Sequence, residues 1–214
     1  RSATAFAPAS VGNVAVGFDI LGHTVAALGD KVRATRRAEP GVAIRSITGT
    51  VENLPLAADK NTAGMAVLAL CRELGLPYGF DLDIEKGIPL GSGRGGSAAS
   101  AVAGIVAATA LVDVPLDRTE LLKFAMQGEA VASGSVHVDN IAPSLYGGLV
   151  LTVGIDNPFV KQIPVPDTIR CVLVHPHMVL PTREARAILS KSVPLSDVIW
   201  QQANLAGFLA GCFT

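Results

Sequence analysis

Residues 31–37, 42–47 and 80–84 alternate between polar and apolar side chains, the period of a half-buried strand. In the last of these, Phe-Asp-Leu-Asp-Ile puts Asp81 and Asp83 on one side, which reads as a solvated strand face before it reads as a metal site. Residues 4–8 and 14–18 are strand-like and flank Ala9-Ser10-Val11-Gly12-Asn13, a turn composition. A helical period takes over at 61–74, where Ala63, Ala66, Val67 and Leu70 share a face and Gly75 follows as a C-terminal cap. Residues 97–111 are rich in alanine and predict a closely packed helix. Residues 116–131 predict another, opened by Asp117 with Glu120 three positions on as a capping box.

The second part of the chain changes character. Tyr146-Gly147-Gly148 predicts a turn into an apolar strand at 149–153, and Pro158, Pro164 and Pro166 then punctuate a connecting segment. A strand at 169–174 and helices near 183–191 and 197–213 follow. These shifts place a soft domain boundary near 155, dividing the chain into 1–155 and 156–214. No internal repeat is visible. The helical pattern runs to Thr214 without a cap, so the chain reads as part of a longer protein.

Composition narrows the function classes. The chain has 214 residues, 50% hydrophobic and 16% charged, enough to bury a real core. Its 17 basic and 18 acidic residues leave a net charge of −1, and aromatics are only 5%, which argues against nucleic acid as a partner. The basic run at 33–37 reads as a solvated strand end. The longest apolar run, 98–112, contains Ser100, Gly104 and Thr109 and falls short of a membrane span. Ser2 and Thr4 interrupt any signal peptide at Arg1. Cys71, Cys171 and Cys212 are widely spaced and odd in number, which fits reduced, buried thiols in a cytoplasmic protein.

Chemistry concentrates at 88–100, Ile-Pro-Leu-Gly-Ser-Gly-Arg-Gly-Gly-Ser-Ala-Ala-Ser. Gly91, Gly93, Gly95 and Gly96 stand between a strand and an alanine-rich helix. Glycine lets the backbone adopt positive φ and approach a ligand closely, and a helix N-terminus adds unpaired N–H donors and a positive dipole. Together they make a phosphate cradle. The stretch lacks the Lys-Ser/Thr ending of a P-loop. Gly91, Gly93 and Gly96 match a dinucleotide fingerprint by letter, which would imply an NAD-dependent oxidoreductase. Pro89 in the approach and the interrupted Val112-Asp113-Val114-Pro115 argue against a βαβ unit. Four further clusters accompany the loop: Asn13 with Asp19, Glu129, His137 with Asp139 and Asn140, and Thr182 with Arg186. Each has a structural reading alone, as turn residue, solvated helix face, loop histidine or surface cation. Beside a phosphate loop they supply what phosphoryl transfer needs, a carboxylate and hydroxyl for Mg²⁺ and groups that fix an acceptor alcohol.

These residues carry a resemblance. Pro89, Leu90, Gly91, Ser92, Gly93, Arg94, Gly95, Gly96, Ser97, Ala98 and Ala99 resemble the ATP-binding motif of the GHMP small-molecule kinases. Residues 7–19 and 134–143 resemble motifs of the homoserine kinases within that superfamily, and the likeness runs through essentially the whole chain. It implies an α+β, two-domain kinase whose N-terminal domain is of the ribosomal-protein domain 2-like type. The C-terminal domain would be a ferredoxin-like α/β sandwich, incomplete here. It further implies ATP and Mg²⁺, with the amides of 91–97 on the phosphates, Ser97 and Glu129 on the metal, and Asn61 near adenine. Asn13, Asp19, His137, Asp139 and Arg186 match positions that hold L-homoserine, whose ammonium suits Asp19 and Asp139 and whose carboxylate suits Arg186. The product would be O-phospho-L-homoserine, for threonine synthesis in the cytoplasm, with no nucleic-acid or membrane partner and a homodimer allowed. Another small alcohol, or a binding domain with a decayed site, remains an alternative.

Three departures qualify the resemblance. Arg94 stands where the family usually has an apolar residue, and Gly96 where it usually has serine. Asn140 takes the place of a catalytic Asp in mevalonate kinase-like members. An amide is no general base, so none is assigned. A late glycine-rich motif of the second domain is missing.

Overall fold

The computed structural model describes residues 1–133, 136–154, 156–174 and 182–213. It is built on one six-stranded sheet whose spine is β2 (Leu21–Arg37). The first strand, β1 (Ser2–Gly12), runs antiparallel along one edge of β2, with a register shift between Pro8 and Ser10. On the opposite edge, residues 31–37 of β2 pair with β4 (Gly79–Lys86), and residues 21–23 pair with β5 (Leu149–Val153). Beyond β4 lies β3 (Gly41–Gly49), parallel to it, and beyond β5 lies β6 (Phe159–Ile163). Because β6 pairs with β5, the sheet continues past the boundary expected near 155. Residue 155 itself lies outside the described residues.

Helices α1 (Thr62–Glu73), α2 (Gly96–Thr109), α3 (Arg118–Ser133) and α4 (Val138–Tyr146) form the layer packed with this sheet. The alanines decide how tightly. Ala98, Ala99, Ala101, Ala103 and Ala108 of α2 are fully buried, so this helix sits between the sheet and its neighbours rather than on the surface. A Cβ on Gly104 would stand 3.1 Å from the Cβ of Ala63, and one on Gly128 would stand 2.4 Å from the carbonyl oxygen of Thr62. Small residues therefore set the helix spacing. Phe80, Leu82, Ile84, Val32 and Leu70 fill the core between the layers.

Several expected elements form as read. Asp117 and Glu120 make a reciprocal capping box, with backbone-to-carboxylate distances of 2.8 and 2.9 Å. Gly75 takes φ 56° after α1. Asp81 reaches Arg45 at 3.0 Å and Asp83 accepts from Ser46 at 2.7 Å, so both face the wet side of β4. Five expectations need correction. Residues 9–12 continue strand β1 instead of turning. Residues 14–18 form turns instead of a strand, held by bonds such as Gly17 N–H to the Asn13 carbonyl at 2.8 Å. A helix, α4, stands at 138–146, with Pro143 inside it, where no element was expected before the turn at 146–148. Residues 169–174 form no strand: among the described residues they find no pairing partner, and Val172 and Val174 are exposed. Cys171 is exposed, unlike buried Cys71 and Cys212. Burial pushes the Cys71 thiol up to about 11.

The last helices, α5 (Thr182–Ala187) and α6 (Leu195–Gly211), lie outside the core, and no residue of α6 is buried. Gln201 of α6 donates to the carbonyl of Val16. Among the described residues no helix is long and apolar enough to cross a membrane.

Candidate functional site

The loop from β4 to α2 runs along a cleft of about 790 Å³. Gly91, Gly93 and Gly95 have φ of 66°, 67° and 64°, a left-handed conformation that would cost another residue about 1–2 kcal/mol at each position. Gly95 is the N-cap of α2, and no side chain caps that end. A Cβ there would lie 2.3 Å from Ser10 Oγ, so close approach as well as φ requires glycine. The first intrahelical bond into α2 is Ala99 N–H to the Gly95 carbonyl, 2.8 Å. The N–H groups of the preceding first turn are the donors that a helix leaves without intrahelical acceptors. Ser10 N–H holds the loop in place by donating to the Arg94 carbonyl at 3.1 Å, and its hydroxyl donates to Asn140 Oδ1 at 3.1 Å.

Beneath the loop is a buried network that the sequence reading missed. The Asp30 carboxylate accepts from the backbone N–H groups of Gly87 and Ile88 at 3.0 and 3.2 Å, from Ser100 Oγ at 2.7 Å, and from Lys86 Nζ. Lys86 also donates to the Gly96 carbonyl and to Ser100 Oγ, both at 2.8 Å. Sequence offers one hint, a charged Lys86 closing an otherwise apolar-in strand. Its partner Asp30 is 56 positions away.

Across the loop, Ser97 Oγ donates to Glu129 Oε1 at 2.9 Å, and His137 Nδ1 lies 3.6 Å from the same oxygen. Glu129 is 4% exposed, and its other oxygen, Oε2, is buried without a hydrogen-bond partner among the described residues. A buried carboxylate oxygen is costly when left unpaired. A hard cation is the partner it suits, and the adjacent hydroxyl is a second oxygen donor of the kind Mg²⁺ takes. The residues present therefore fit Mg²⁺ bound together with phosphate oxygens. His137 is raised above its ordinary pKa by its hydrogen bond to Glu129, with burial opposing that rise.

The far side of the cleft is a strained turn. Asn13, Val14, Ala15 and Asp19 have φ of 69°, 41°, 59° and 63°, each non-glycine. For Val14, branched at Cβ, this is a true outlier. Such conformations persist only where neighbours over-determine them. Here Asn13 Oδ1 accepts from Asp19 N–H at 2.9 Å, while Asn13 N–H donates to Asp139 Oδ2 at 3.1 Å. Asp139 is 2% exposed and its Oδ1 is buried without a partner. Burial, then the nearby Asp19 charge, raises its pKa above the usual carboxylate range. Arg186 grips Asp19 through both terminal guanidinium nitrogens, Nη1 at 3.0 Å, and lies 5.4 Å over the ring of Phe18.

The cleft thus gathers nearly every residue singled out in the sequence: Asn13, Asp19, Asn61, residues 89–97, Glu129, His137, Asp139, Asn140 and Arg186 all line it. Ala98 and Ala99 do not, because their side chains are fully buried in the core. The Asn61 side chain is engaged locally: its Oδ1 caps α1 by accepting from Ala63 and Gly64 at 3.1 and 3.2 Å, and its Nδ2 donates to the Pro55 carbonyl at 3.1 Å. Gly134 and Ser135 lie outside the described residues, as does the side chain of Thr182. The dinucleotide alternative loses its basis, since α2 leads into α3 and, among the described residues, no parallel strand follows.

Fold and cleft together define a GHMP-type domain, and residues 61–148 match the family model described as GHMP kinases N terminal domain. The chain is 51% identical to a homoserine kinase of Xylella fastidiosa, a match covering all of this chain and 65% of that relative. It is 39% identical to a homoserine kinase of Chloroherpeton thalassium, covering 99% of this chain and 69% of that one. The crystal structure of homoserine kinase from Cytophaga hutchinsonii superposes with a TM-score of 0.90 at 42% identity, covering 98% of this chain and 67% of that structure. The chain belongs to the homoserine kinase family of the GHMP kinases. It spans about 65% of the length of the Xylella relatives it matches.

Proposed function

We propose that the protein carrying this chain transfers the γ-phosphoryl group of ATP to the side-chain hydroxyl of L-homoserine, giving O-phospho-L-homoserine for threonine synthesis. One observation carries the reading. A left-handed glycine loop at a helix N-terminus and an unpartnered buried carboxylate oxygen on Glu129 share a cleft with the Asp19–Arg186 pair. The first three features suit a metal-bound polyphosphate and the last suits a zwitterion.

In this reading the amides of the loop and of the first turn of α2 hold the phosphates, and Leu54 and Pro55, which line the same cleft, border the nucleoside end. Ser97 and Glu129 would hold Mg²⁺, which when bound would supply positive charge against the phosphate oxygens. Arg186 and Asp19 exchange partners on binding, the guanidinium taking the substrate carboxylate bidentately and the carboxylate taking the ammonium. Asp139 offers the ammonium a second acceptor in its unpartnered Oδ1. Asn140 has no basicity to contribute, so the acceptor proton leaves with the transferred phosphoryl oxygen, and rate comes from alignment and charge stabilisation. Residues 1–155, with β6 continuing their sheet, then carry the nucleotide side, and the chain beyond β6 begins a second domain. A cytoplasmic location goes with these substrates.

The test measures ADP release by the whole protein with Mg·ATP and homoserine, mevalonate or galactose as acceptor. Turnover with homoserine alone is expected. Turnover with one of the other alcohols in its place, or none with any acceptor, rejects the assignment.

A further inference from the structure

The buried ion pair beneath the loop has no part in the steps above, although it is bound to both ends of the loop. Asp30 is 0% and Lys86 5% exposed. Where the loop leaves β4, the N–H groups of Gly87 and Ile88 donate to Asp30 Oδ1. Where it enters α2, Lys86 donates to the Gly96 carbonyl, and Ser100 accepts from Lys86 while donating to Asp30. We propose that the Asp30–Lys86–Ser100 cluster is the positioning device of the glycine loop, fastening its entry and exit to one buried salt bridge so that its amides face the cleft. This inference rests on the reading of the loop as the site of the ATP phosphates.

Two physical arguments support it. A loop with three left-handed glycines has much conformational freedom to lose, so ordering it only on nucleotide binding would weaken affinity. Apart from the Ser10 N–H bond to the Arg94 carbonyl and the close approach of Gly95 to Ser10, residues 89–95 have little with which to order themselves: Leu90 is 72% exposed, and a Cβ on Gly93 would touch nothing within 4 Å. The second argument is geometric. The peptide unit is planar and trans, so its C=O and N–H point in opposite directions. With the Gly96 carbonyl held down on Lys86, the N–H of Ser97 is turned away from the buried pair. A buried salt bridge is weak evidence for stability as such, because well-packed apolar residues often serve as well. Its arrangement around both loop ends is what singles it out.

The experiment measures the KM for ATP and for homoserine, and the thermal midpoint, in the whole protein and its variants. Ser100→Ala removes the shared hydroxyl and keeps both charges. It should raise the KM for ATP five- to tenfold and leave that for homoserine within twofold. Lys86→Met should raise the KM for ATP further. The neutral double variant Asp30→Asn, Lys86→Met should recover thermal midpoint relative to Lys86→Met without recovering ATP affinity. Should Lys86→Met fail to fold, Ser100→Ala decides alone. A lower midpoint with both KM values unchanged, or both rising together, makes the cluster merely structural and overturns the inference. A wild-type protein that binds no Mg·ATP overturns the functional reading and this inference with it, whereas binding unaffected by Ser100→Ala overturns this inference only.

Discussion

Glu129→Gln separates the account of the metal site from a structural one. The change keeps shape and volume, and the amide can still pair with Ser97 Oγ, now at 2.9 Å from Oε1. What it removes is one negative charge beside the position assigned to Mg²⁺. Two unit charges about 4 Å apart interact by roughly 4 kcal/mol at an effective dielectric of ~20. Against ~1.36 kcal/mol per tenfold in rate, that predicts a fall in turnover of about three powers of ten. Stability should move the other way. Glu129 is 4% exposed and, among the described residues, its Oε2 has no partner, so without Mg²⁺, and at a pH where His137 is neutral, the carboxylate is buried with little compensation. At such a pH the variant should therefore melt at the same temperature as wild type or higher when metal and nucleotide are absent. Coupled ADP release at saturating Mg·ATP and calorimetric melting supply the two readouts. Activity within tenfold of wild type, or a clearly lowered melting temperature, would refute the reasoning.

The same geometry makes three further predictions. Arg186→Lys keeps the charge but loses the two-pronged grip seen on Asp19, and should raise the KM for homoserine about 10- to 100-fold with the KM for ATP unchanged. Gly95→Ala places a Cβ 2.3 Å from Ser10 Oγ at φ 64° and should abolish nucleotide binding by calorimetry. Gly93→Ala meets only the left-handed cost of ~1–2 kcal/mol and should retain weakened binding. His137, raised by its bond to Glu129, should titrate above 6.5 by NMR and fall back in Glu129→Gln. Its contribution to stability is full below the unfolded pKa and is lost as pH rises through the folded value, which a pH series of melting curves will show.

Local signals were legible where local chemistry decides. The capping box at Asp117 and Glu120, the alternation in β4 and the glycine run before α2 each depend on neighbours within a few residues, and each forms as its pattern predicts. The failures share a cause in contacts distant along the chain. Val14 and Ala15 adopt left-handed backbone against their strand propensity, in a turn held through Asn13 by Asp139, 126 positions away. The α4 helix carries Pro143, normally a helix breaker, and is fixed by packing on β1 and β2. Residues 169–174 have strand composition but pair with no strand among the described residues. Asn61 caps α1 through bonds only two and three positions on, a local signal open to the sequence, whereas Asp19 and Arg186 hold each other across 167 positions, beyond the reach of any motif. The Lys86 network was invisible for the same reason as the Val14 turn: its partner comes from another strand.

The most direct test of the central claim is a crystal structure of the whole protein with Mg²⁺, a non-hydrolysable ATP analogue and homoserine. The account predicts phosphate oxygens within hydrogen-bond reach of the amides of 93–97, the metal on Ser97 and Glu129, and the homoserine carboxylate on Arg186. A nucleotide bound elsewhere, with Glu129 Oε2 still unpartnered and the glycine loop empty, would contradict it.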